Sequence, residues 1–128
     1  MSERSELDEP KVLSPWQPER DPIRLAALGK FAEELGEAVA IVARCAIQGI
    51  DESEPETLKP NRIALQNEIA DIMAGVEIVC TLFALDGGAI SRRRGAKVGH
   101  LRRWHKLLSA SASQWAAPPS ATAKESRR

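Results

Sequence analysis

Apolar residues recur at helical spacing along two long stretches of this chain. Leu28, Phe31, Leu35, Val39, Val42 and Ala46 form one stripe; Leu65, Ile69, Ile72, Val76, Val79 and Phe83 form another. Steps of three and four residues place each set on one side of an α-helix. The ends carry matching local signals. Asp21-Pro22 supplies an N-cap acceptor and a proline at the first helical position, where its missing N–H costs nothing. Gly49 is a natural stop after Gln48. Asp51 to Lys59 reads as a loop or short helical turn, and Pro60-Asn61 opens the second helix. Asp86-Gly87-Gly88 breaks the chain before a third helix from about Ala89 to Leu108. No run alternates as a strand would, and no internal repeat occurs. The expected fold is an all-α, antiparallel helical bundle over residues 21–108. An extended, proline-containing arm (1–20) precedes it, and a tail of disorder-prone composition (109–128) follows.

Two acidic clusters fall on these helices: Glu33, Glu34 and Glu37 on the first, Glu68 and Asp71 on the second. Glu34 with Glu37, and Glu68 with Asp71, are i,i+3 pairs, so each projects from one side of its helix. Thirty residues separate Glu37 from Glu68, enough to turn the chain and lay the helices antiparallel. A solvated face is the ordinary reading of such charges, and helical position tests it. At about 100° per residue, Glu68 lies about 70° from the centre of its apolar stripe, in a row with Ala64, Ile72, Gly75 and Val79. Glu34 shares a row with Ala27, Phe31, Ala38, Ile41 and Cys45. Glu37 and Asp71 fall at the stripe margins, and Glu33 points closest to solvent. A carboxylate among apolar neighbours is costly unless paired or metal-bound. Four of them converging would repel one another unless a hard cation sat between them. Mg²⁺ is the expected ion, with Mn²⁺ as its alternative, because it takes oxygen ligands and shares its shell with substrate phosphates.

The pattern E-E-x-x-E followed by E-x-x-D, filled here by Glu33, Glu34, Glu37, Glu68 and Asp71, resembles the signature of the MazG-like, all-α nucleoside triphosphate pyrophosphohydrolases. The resemblance covers roughly Ile23 to Leu108. It implies Mg²⁺-dependent hydrolysis of a (deoxy)nucleoside triphosphate between the α and β phosphates, giving the monophosphate and pyrophosphate. By residue-wise match, Glu34, Glu37, Glu68 and Asp71 would ligate metal, and Glu33 would position water or support the ligands. The resemblance also implies a homodimer or homotetramer, in keeping with helices that are apolar on more than one face. Family members often carry a Lys and an Asn four residues apart on the third helix. This chain has Arg93 and Lys97 there, which keeps contact with the β and γ phosphates but puts any sugar or base contact in doubt.

Composition narrows the alternatives. Lys and Arg total 18 and so do Asp and Glu, so no global field selects nucleic acid or a membrane. The seven basic residues between Ser91 and Lys106, with no acidic one, read either as a solvated face or as the phosphate contact just described. No apolar leader opens the chain and no apolar run could span a bilayer, so the expected location is cytoplasmic. Cys45 and Cys80 are expected to be buried free thiols. His100 and His105 have no partner at metal spacing. Trp16 could stack on a nucleobase or dock on the core. Phe31, one turn before Glu34, could line a base pocket, although core packing suits it equally. Trp104 reads as a core or interface anchor. Two rival functions stay open: a phosphoribosyl-ATP pyrophosphatase with the same metal chemistry, and a non-enzymatic helical interaction protein.

Overall fold

The computed structural model describes residues 15–112. These form three helices, α1 (Pro22–Gln48), α2 (Asn61–Leu82) and α3 (Gly87–Ser111), and no strand beyond an isolated Ser53–Pro60 bridge. The described residues are all-α. The chain divides into two units, Met1–Leu85 and Asp86–Arg128. The first contains a hairpin of α1 and α2; the second contains α3.

Local chemistry accounts for the helix ends. The Asp21 carboxylate accepts from the backbone N–H groups of Ile23 (2.9 Å) and Arg24 (3.0 Å), satisfying two donors that lack partners within α1. Gly49 ends the helix at φ +102°, a conformation costly for any residue with a Cβ, while its N–H donates to the Cys45 carbonyl. Asn61, the first residue of α2, is fully buried. Its Nδ2 donates to the Gly49 carbonyl at 2.9 Å and its backbone N–H to the Glu52 carbonyl at 2.9 Å. The start of α2 is thereby tied to the end of α1. At the opposite end of the hairpin, the Arg24 guanidinium lies 4.7 Å from the centroid of the Phe83 ring. Pairing the start of one helix with the end of the other makes α1 and α2 antiparallel.

The seam of the hairpin differs from the main apolar stripes. Ala38 and Ala64 are its buried apolar residues, and Gly75 on α2 meets Phe31 on α1. Small side chains let two helices approach closely, so the rows containing Ala38, Ala64 and Gly75 form the contact. These are the rows that carry Glu34 and Glu68. Leu28, Leu35, Val39 and Val42 of the first stripe are exposed, Val39 by 70%, as are Ile69 and Val76 of the second. The expected burial of those stripes is therefore corrected for the single chain.

The third helix also differs from expectation. It begins at Gly87, where the Asp86 carboxylate accepts from the Ala89 N–H at 2.9 Å, and it continues to Ser111. Asp86-Gly87-Gly88 is thus its cap and first turn, and the boundary expected at residue 108 falls three residues early. Gly95 and Gly99 lie within an unbroken helix. The arm before residue 15 and the tail after residue 112 lie outside the described residues. No described helix is long and apolar enough to cross a membrane.

Candidate metal centre

The seam brings together three of the five carboxylates in the two acidic clusters. Glu34 and Glu37, one turn apart on α1, face Glu68 on α2, and one oxygen from each lies within 4.8 Å of the others. Oxygens sharing an octahedral Mg²⁺ are at most about 4.2 Å apart. A small side-chain rotation would therefore bring all three onto one ion. Asp71 lies outside this trio, yet its charge reaches Glu68, and its side chain lines the adjoining cavity beside Glu34. Glu33 is exposed on the solvent side of α1, as its helical position predicts.

Electrostatics marks Glu68 as the unsatisfied member. Its Oε2 is buried and has no hydrogen-bond partner among the described residues. Burial is the largest cause raising its pKa above the ordinary carboxylate value, followed by the charges of Glu37, Asp71 and Glu34; Lys59 pulls weakly the other way. A buried carboxylate oxygen facing like charges and no donor is costly. A divalent cation would remove that cost and repulsion together, and an all-oxygen donor set suits Mg²⁺ or Mn²⁺. The residues fit the ion.

Lys30, one turn before the cluster, received no role from the sequence. Its Nζ lies 2.9 Å from Glu34 and 3.4 Å from Glu33. These partners raise the lysine pKa above its usual value, the hydrogen bond to Glu34 most of all. The signal was readable: a Lys three and four residues ahead of two Glu residues is a helical ion-pair spacing.

Beside the carboxylates, α1 and α2 enclose an open cleft of about 300 Å³. Ala27, Phe31, Gly75, Ile78 and Val79 supply an apolar wall, while Lys30, Glu34 and Asp71 supply the polar edge. The Phe31 ring packs on Gly75, and the residue also lines this cleft. Trp16 is fully exposed at 101% and packs on no core among the described residues. On α3, Arg93 and Lys97 are exposed and one turn apart. Trp104 is 55% exposed and anchors no core among the described residues of its unit. Cys45 and Cys80 are free and half-buried rather than buried.

Compared with known protein families, curated proteins and solved structures, the chain shows no match.

Proposed function

We propose that the protein is a Mg²⁺-dependent nucleoside triphosphate pyrophosphohydrolase of MazG-like type. The observation that carries this reading is the convergence of Glu34, Glu37 and Glu68 across the seam, with one buried oxygen lacking a donor, at the edge of an apolar cleft. Glu34, Glu37 and Glu68 would hold the cation, with Asp71 completing the acidic edge. The ion, once bound, supplies neutralising charge for the triphosphate and lowers the pKa of a coordinated water.

The remaining work belongs to the chain. Phe31, Ala27 and Ile78 offer the apolar surface against which a base can be held, which orients the triphosphate toward the carboxylates. Glu33, outside the trio and on the solvent side of α1, would position the attacking water and accept its proton. The water oxygen adds to the α phosphorus as its bond to the bridging oxygen breaks, and pyrophosphate leaves. Arg93 and Lys97 would bind the β and γ phosphates, and Trp16 offers an aromatic face for stacking on the base.

The functional unit in this reading is a homodimer or homotetramer acting in the cytoplasm. Support comes from the exposed stripe of Leu28, Leu35, Val39 and Val42, because a hairpin whose buried apolar residues are two alanines has little core of its own.

A panel of NTPs, dNTPs and phosphoribosyl-ATP, assayed for pyrophosphate release with Mg²⁺ and with chelator, tests the activity. Release from one or more nucleoside triphosphates, abolished by chelator, is expected. Release confined to phosphoribosyl-ATP would replace this reading with the rival enzyme, and no release from any compound would favour the interaction protein.

A further inference from the structure

We infer that Lys30 is a built-in counter-ion that exchanges partners, holding Glu34 while the acidic cluster is metal-free and binding a substrate phosphate once a divalent cation has taken Glu34. The inference rests on the proposed metal centre and assigns that site an additional residue. Three observations carry it. Lys30 Nζ sits 2.9 Å from Glu34, a proposed ligand, so the ammonium and a cation compete for one carboxylate. The Glu34 side chain is 15% exposed and the Lys30 side chain 64%, so the carboxylate is held in the seam while the long lysine is free to swing. Lys30 also lines the cleft with Phe31, Glu34 and Asp71, so it borders both the apolar wall and the carboxylates.

The partner exchange has a simple physical basis. A metal-free trio of carboxylates repels itself, and a lysine one turn away relieves part of that repulsion. A cation that binds Glu34 removes the attraction and places a like charge near the ammonium. Lys30 is then repelled from its old partner just as a triphosphate brings negative oxygens to the same edge. An ammonium serves such a substrate as a mobile point charge rather than a fixed fork. Glu33, 3.4 Å from Nζ, is the lysine's second partner while the cluster is metal-free.

The exchange predicts opposite effects on two ligands, which a merely structural role would not produce. Lys30→Gln and Lys30→Arg would be compared with the wild-type full chain. Mn²⁺ binding would be read by electron paramagnetic resonance, and binding of magnesium tripolyphosphate by calorimetry. Lys30→Gln should bind Mn²⁺ about twofold to fivefold more tightly, the range expected from losing one solvent-accessible ion pair. It should bind tripolyphosphate about tenfold or more weakly, as for loss of a charged hydrogen bond. Lys30→Arg should restore both values toward wild type. Affinities that fall together, or do not change, in a protein that binds Mn²⁺ would overturn the role of Lys30 and leave the metal centre standing. Wild-type Mn²⁺ binding no stronger than that of Glu68→Gln would overturn the metal centre and this inference with it.

Discussion

Phe31 on α1 packs directly on Gly75 of α2: a Cβ at position 75 would lie 2.7 Å from Phe31 Cδ2 and 3.1 Å from Cε2. The contact holds the aromatic ring at the cleft and sets the spacing of the two helices beside the carboxylates. It also reverses an ordinary rule. Replacing a mid-helix glycine by alanine normally stabilises a helix by roughly 0.5–1 kcal/mol. Here the added methyl must displace an aromatic ring, a strain typically costing about 1–3 kcal/mol. Gly75→Ala is therefore expected to lower stability in chemical denaturation, whereas Gly29→Ala, with open space around its Cβ, is expected to raise it. Pairing Gly75→Ala with Phe31→Leu should recover part of the loss.

The metal-free protein should become more stable when Glu68 loses its charge. The raised pKa of Glu68 means that the folded state holds its proton more tightly than the unfolded state does. Stability consequently falls as pH rises from the unfolded carboxylate value through the raised folded value. In chelator, Glu68→Gln should melt above wild type at neutral pH, and the difference should vanish below the ordinary carboxylate pKa, where Glu68 is protonated in both states. Glu34→Gln should show less gain, since it also loses the pairing with Lys30. Thermal melts of the three proteins across that pH range check the sign.

Helix boundaries were legible in the sequence because they are local. Asp21, Pro22, Gly49 and Pro60 each act on their immediate neighbours, and α1 begins and ends, and α2 begins, where those residues require. The choice of seam was not decided by the apolar stripes, because both helices are apolar on more than one side. Close approach at Ala38, Ala64 and Gly75 decided it, and packing two helices through small residues is a pairwise property. The rows of Glu34 and Glu68 could still be identified as semi-buried, since a helical row depends on periodicity alone. Which carboxylates would converge depends on the stagger between helices, so Asp71 could not be separated from the trio beforehand. Asp86-Gly87-Gly88 misled because glycines that usually break a helix here occupy the first turn of one capped by the aspartate.

The basic helix offers a contrast within one element. If Arg93 and Lys97 hold the β and γ phosphates, Arg93→Ala and Lys97→Ala should each lose about tenfold to a hundredfold in kcat/KM with triphosphates, the loss of one charge-assisted contact. Arg102→Ala, about two turns further along, should change little. Equal small losses at all three positions would assign the run to a solvated face.

Assembly follows from the exposed stripes. Light scattering at micromolar concentration should give twice or four times the chain mass, and Val39→Lys, placed on a 70% exposed member of the α1 stripe, should shift it toward the monomer. A wild-type protein that is monomeric and fully active would show that the stripe serves another purpose.

Product analysis with the nucleotide that the panel identifies tests the central claim most directly. Wild type with Mg²⁺ should yield the nucleoside monophosphate and pyrophosphate in equal amounts, and Glu68→Gln, still folded by circular dichroism, should yield neither. Formation of the diphosphate and inorganic phosphate, or equal turnover by wild type and Glu68→Gln, would contradict the assignment of this carboxylate cluster to cleavage at the α phosphorus.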